Sequence, residues 1–313
     1  MLLPNNISMR FSVPLFPYDR WGGIDNIRSA VCLADRLGFY GVTIPDHIVM
    51  PVKEGKDPIA TVWYDNFVLA SHLASVTEQI RMVFHVLVLP YRSALHTAKM
   101  ASTLDQISNG RVVLGVGTGW MKAEFRALEV PFENRGIRSD ETLEAMVRCW
   151  TDERPRIEGD YVNFDKLAFE PKCVQSPHIP LWVGGSGTRA LARAARFGAG
   201  WCPMDGNLEQ LRQGAQELLE MLETNGRAQE DFAFSHSISV GAPDETVSKA
   251  RGHATGDGAQ LELAQDPEAI ANLVASYKEV EFNHLGLSFD WKSPAEYHDK
   301  LEWFASAVMP LCS

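Results

Sequence analysis

Short, almost continuously apolar runs alternate with segments of helical period along most of this 313-residue chain. RFSVPLF (Arg10–Phe16) predicts a first strand. IDNIRSAVCLADRLGF then places Ile24, Ile27, Val31, Ala34 and Leu37 on one helical face and stops at Gly38. YGVTI is a second strand, followed by a helix in NFVLASHLASVT; IRMVFHVLVL is a third, apolar nearly throughout. A helix carrying Leu95, Ala98, Ala101 and Leu104 ends at Asn109-Gly110, and RVVLGV is the fourth strand. After a charged loop from Trp120 to about Gly136 comes the helix SDETLEAMVRCW. A small hairpin is expected in the polar, Pro-punctuated stretch Glu158–Pro177.

The alternation then resumes. IPLWVGG is strand five with the helix TRALARAARFG, and GWCPM is strand six with a helix over Asn207–Thr224. FAFSHSISV is strand seven with a helix over Asp266–Val280, and FNHLGLSF is strand eight with a last helix over Pro294–Pro310. Gly241–Gln265 is read as an irregular insertion after strand seven. Strands buried on both faces read as continuous apolar runs, which predicts a parallel sheet covered by helices. Eight such units in one chain of this length predict a closed (β/α)₈ TIM barrel, one domain over residues 1–313.

Composition narrows the function classes. Hydrophobic residues at 45% and charged residues at 22% belong to a globular protein, and a formal charge of −11 without a basic stripe excludes a nucleic-acid binder. No apolar run approaches the roughly 20 residues of a membrane span. The opening MLLPNNISM lacks the basic start of a secretory signal, so a cytoplasmic protein is expected. The five cysteines are far apart, without a C-x-x-C pair, and the nine histidines show no paired spacing; neither a disulfide framework nor a metal centre is indicated.

A barrel carries its chemistry at the carboxyl ends of its strands. Strand two ends in Pro45-Asp46-His47, a carboxylate beside an imidazole able to exchange a proton near neutral pH, or equally a loop cap beside a solvated histidine. Strand four ends in GVGTGW, which fails the dinucleotide pattern because Trp120 stands where a small third residue must pack. Strand five ends in Gly184-Gly185-Ser186-Gly187-Thr188 ahead of a helix, a candidate phosphate cradle. Gly185–Ala190 does satisfy G-x-G-x-x-A, with Asp205 about 20 residues on, so a nicotinamide-dependent Rossmann reading stays open at this point.

LVLPYRSALHTAKMASTLDQISNGRVVLGVGTGWMKAEF, with PDHIVMP upstream and PHIPLWVGGSGTRALARAARFGAGW downstream, resembles the luciferase-like flavin and deazaflavin oxidoreductases, most of all their F420-dependent subgroup. The likeness runs in order from about Met9 to Gly200. It implies a barrel that binds coenzyme F420, or alternatively FMN, at its carboxyl-terminal mouth. The ring would rest on a strand-three bulge with a non-prolyl cis peptide at about His85-Val86. The phosphate arm would lie on Gly185, Ser186, Gly187 and Thr188. Asp46, His47, Thr118 and Gly119 match positions that contact the ring, and the GVGTG glycines would let that ring approach the backbone.

One departure matters. Sugar-phosphate dehydrogenases of the family carry a glutamate after Gly-Thr-Gly, where this chain has Trp120, so an apolar substrate wall is expected instead. Glu124, four residues further on, is an alternative source of a carboxylate, but the preferred reading is a solvated helix residue; Arg135 and Arg138 read as structural or loop-ordering. The reading is therefore hydride transfer between F420 and a small organic substrate, with His47 as proton donor or acceptor. An FMN-dependent monooxygenase served by a separate reductase is one alternative, and a non-catalytic flavin-binding protein another. Family habit implies a homodimer.

Overall fold

A computed structural model describes residues 8–52, 60–228, 231–240 and 266–312, and everything below concerns these residues. The expected insertion over Gly241–Gln265 lies outside them. Eight parallel strands close into a barrel: β1 (Arg10–Pro14), β2 (Gly41–Ile44), β3 (Arg81–Val88), β4 (Val112–Gly117), β7 (Leu181–Gly184), β8 (Gly200–Cys202), β9 (Ala233–Val240) and β10 (His284–Phe289). Each pairs with its successor, and β10 returns to β1 through Arg10↔His284 and Phe11↔Leu285. The two remaining strands, β5 (Ile157–Glu158) and β6 (Asn163–Phe164), form the expected hairpin at the front of its stretch. The carboxylate of Glu141 ties that hairpin down by accepting the N–H groups of Asp160, Tyr161 and Val162.

The closed barrel removes the Rossmann reading of Gly185–Ala190. That fingerprint belongs to the first strand of an open doubly wound sheet, whereas here it follows the fifth strand of a closed one.

Helix limits follow local chemistry. Ala94–Ser108 begins where Ser93 accepts the N–H of His96 and ends on Asn109 in the left-handed region at φ 53°. Several boundaries differ from the sequence reading, and the last helix, expected over Pro294–Pro310, is α-helical only over Pro294–Trp303. The loop after Trp120 holds a short helix, Lys122–Ala127, and the next helix starts at Arg135 rather than Ser139. The apolar sides of the outer helices pack on the outward faces of the strands in one large cluster. A smaller set, with Val83, Val113, Trp182, Cys202 and Ala233, packs against Tyr40 and Val86. His284 is fully enclosed between the hydroxyls of Ser12 and Ser235, each at 2.7 Å. Burial holds its pKa well below the ordinary histidine value, so it is a neutral core group.

The element that shapes the mouth is β3. Its register with β4 slips between Phe84 and Leu87, and the His85–Val86 peptide is cis, at the position the resemblance implied. The bulge pushes the Phe84 carbonyl and the Val86 side chain against the neighbouring strands. A Cβ on Gly115 would lie 2.1 Å from the Phe84 carbonyl oxygen, and one on Gly117 would lie 2.8 Å from Val86 Cγ2. A Cβ on Gly184 of β7 would lie 3.2 Å from the other methyl group of Val86, Cγ1. The bare backbone of GVG is thus filled by strand three, which corrects the idea that a ring lies directly on those glycines. We expect Gly115→Ala to destabilise the fold by about 3 kcal/mol, because the clash is with backbone that a packed core cannot move cheaply. Urea unfolding of the variant measures this directly.

Candidate active site

Asp46 and His47 follow β2, and their side chains part company at once. Both oxygens of Asp46 are engaged by the Arg92 guanidinium in a bidentate pair at 2.8 Å, and Oδ2 also accepts the Val88 N–H at 2.8 Å. Asp46 therefore binds the segment after β2 to the end of β3, just past the bulge. It makes no pair with His47.

The carboxylate that meets His47 is Glu124, from the short helix beyond strand four. Its Oε2 accepts from His47 Nδ1 at 2.9 Å and from the Tyr91 hydroxyl at 2.7 Å, while Oε1 accepts the N–H groups of Ile48 and Val49. Glu124 is 0% exposed, which overturns the expectation of a solvated helix residue. Four donors are what make its burial tolerable. Burial alone raises its pKa, but the hydrogen bonds from His47, Tyr91 and Ile48 outweigh it, and the net shift is downward. The Tyr91 phenol moves up, through burial first and then its bond to Glu124.

A carboxylate held below its ordinary value of 4.5 stabilises the folded state fully above that pH and loses its contribution as acid protonates it. We therefore expect Glu124→Gln to flatten the fall in stability below about pH 4.5 relative to the parent, as read from thermal midpoints across an acid series.

Aromatic side chains surround the imidazole. Trp63 meets it edge-on at 4.7 Å and is itself stacked on Phe16 at 4.9 Å; Trp120 meets it edge-on at 6.3 Å. At 51% exposed, Trp120 is a wall residue and not core. Gly119 turns the chain ahead of it at φ 78°, and its carbonyl accepts from Arg135 Nε at 3.1 Å. This gives Arg135 the loop-ordering part expected of it. Thr118 lies half-buried between Gly117 and this turn, and His85 half-buried beside Val86.

The second group lies after β7. Gly185 has φ 112°, its carbonyl is held by Trp201 Nε1 at 2.8 Å, and Ser186 donates to Asp205 at 3.2 Å. Gly187 precedes the helix Thr188–Phe197, whose start has no side-chain cap. Ser186, Gly187 and Thr188 are exposed. Val86 joins the two groups, since it packs against Gly117 on one side and Gly184 on the other. A cleft of about 810 Å³ on the outside, between the helices Thr188–Phe197 and Leu208–Thr224, shares no residue with the mouth. Among the described residues, no group of histidines, cysteines and carboxylates could hold a metal, and no helix is long and apolar enough to cross a membrane.

Of the residues marked out in the sequence, His47, Trp120 and the Gly185–Thr188 turn stand at the ends of barrel strands or in the turns just after them, as expected. Tyr91, Arg92 and Glu124 were missed as partners. The signal for them was faint: a buried acid beside Phe125 whose partner lies 77 residues away.

The fold and site together are a closed (β/α)₈ barrel with His47 and a bulged third strand at its carboxyl-terminal mouth. The profile of the luciferase-like monooxygenases matches residues 9–265, and the chain belongs to that family. It is 27% identical over 256 residues to an FMNH2-dependent dimethylsulfone monooxygenase of Pseudomonas putida, covering 79% of this chain and 65% of that one. The match thus spans just under two thirds of that relative. Among solved structures, an F420-dependent secondary alcohol dehydrogenase in complex with an F420–acetone adduct superposes with a TM-score of 0.78 at 17% identity, covering 98% of this chain and 99% of that one. A type II Baeyer–Villiger monooxygenase from Pseudomonas putida, in complex with FMN, gives 0.73 at 18%, covering 97% and 98%. These two likenesses are of fold.

Proposed function

We propose that this protein transfers hydride between coenzyme F420 and a small organic substrate, with His47 carrying the proton. The observation that carries the reading is the Glu124–His47 contact, which occupies Nδ1 and leaves Nε2 for exchange, with Trp63 and Trp120 against the ring. The residues present fit a flat ring: Val86, on its floor of glycines, is a platform at the centre of the mouth. A bound deazaflavin or flavin supplies the two-electron chemistry. The chain's own groups do the rest. His47 Nε2 takes the proton of a substrate hydroxyl as its carbon gives up hydride, or returns it to a carbonyl oxygen in the reverse direction. Trp63 and Trp120 keep water from that exchange and give the substrate an apolar wall. Asp46, through Arg92 and Val88, holds the end of β3 past the bulge in place. His85, Thr118 and Gly119 would border the ring, and Gly185 to Thr188 would hold the phosphate with their exposed backbone.

F420 is preferred to FMN on the likeness of this sequence to the F420-dependent subgroup. Asp205, which accepts from Ser186, stands beside the phosphate turn. The second reading, FMN with O₂ and a reductase partner, is favoured by the similarity to the dimethylsulfone monooxygenase. Anaerobic assays of reduced F420 with a panel of ketones, enones and imines test the choice. The first reading requires substrate-dependent oxidation of the cofactor without O₂; turnover only with FMNH2 and O₂ would move the assignment to the second.

A further inference from the structure

Glu124 contacts four donors with two oxygens, and it divides them by function. Oε1 accepts the backbone of Ile48 and Val49, and so staples the turn after β2 to the short helix; Oε2 accepts from His47 and Tyr91. We propose that Glu124 is a positioning residue for His47. Its carboxylate fixes the imidazole in the Nδ1-protonated tautomer, so that Nε2 presents a bare lone pair to the mouth. The catalytic consequence rests on the reading of His47 as proton carrier, whereas the tautomer does not.

The neighbouring groups determine the ionic form. Two of the four donors are backbone amides, which can only donate, and Tyr91 is held as the neutral phenol. With four groups placed to donate to its two oxygens, the acceptor-only ionised form fits. The other charges around the cluster are Asp46, Arg92 and Asp65. Arg92 holds Asp46 at 2.8 Å on two atoms and lies 3.8 Å from Asp65. That leaves Glu124 as the carboxylate directed at the imidazole. A neutral imidazole has one ring proton to place, and an acceptor-only partner at 2.9 Å from Nδ1 places it there. Trp63 and Trp120, edge-on to the ring, hold its plane.

Glu124→Gln separates positioning from stapling. The amide oxygen still accepts the N–H groups of Ile48 and Val49, while the amide nitrogen turns a donor towards Nδ1 and drives the proton to Nε2. The test is ¹⁵N NMR of the full-length protein labelled in its histidine rings, at neutral pH, with His47 assigned from its loss in His47→Asn. The parent shows His47 protonated on Nδ1, Tyr91→Phe keeps that pattern, and Glu124→Gln, folded by circular dichroism, shows the proton on Nε2. A parent already protonated on Nε2, or an unchanged His47 signal in Glu124→Gln, overturns the proposal. These spectra decide the pairing whatever the turnover of His47→Asn, which separately decides the reading on which the catalytic role depends.

Discussion

His47→Ala lowers kcat by roughly 10²- to 10⁴-fold, the share that a positioned acid–base group contributes to proton transfer, while cofactor affinity changes little. The expectation follows from what the side chain touches. Its Nδ1 is spent on Glu124 and its faces on two indoles, so Nε2 is the atom left for chemistry. Truncation leaves Val86, the bulge and the Gly185–Thr188 turn intact. Steady-state kinetics with cofactor and substrate varied in turn separate the two quantities. A loss confined to cofactor affinity would reduce His47 to a ring contact.

Asp46→Ala costs stability on the order of 3–5 kcal/mol and weakens cofactor binding with it. The Asp46 side chain is 2% exposed and that of Arg92 13%, so the guanidinium left behind would be a charge with little water to replace its partner. The Val88 N–H would lose its acceptor as well. Since Val88 lies one residue past the point where the β3–β4 register resumes, damage there reaches the platform at Val86. Denaturant unfolding gives the stability change. Pairing the substitution with Arg92→Met removes the stranded charge, and the double variant is expected to recover part of the loss.

The barrel was legible because strands buried on both faces leave near-continuous apolar runs. The segments IRMVFHVLVL and RVVLGV, with helical patterns between them, admit few other architectures. Stops such as Asn109-Gly110 were readable for a local reason, since the chain needs a left-handed residue there. The site was less legible, because its contacts are long-range. Asp46 and His47 stand side by side in sequence, yet one turns to Arg92, 46 residues on, and the other to Glu124, 77 residues on. Nothing in KAEF tells a buried acid from a solvated one until the turn carrying Ile48 and Val49 is laid over it. The glycines of GVGTG were ambiguous for the same reason. They signal a close approach to the backbone without saying what approaches, and the nearest occupant is strand three of the same chain.

The central claim is that the mouth over Val86 holds a deazaflavin ring. A fluorescence titration of the purified protein with F420 and, separately, with FMN tests it most directly. The account predicts saturable F420 binding with a distinctly weaker response to FMN, and loss of that binding in Val86→Asp. Saturation by neither cofactor would contradict it.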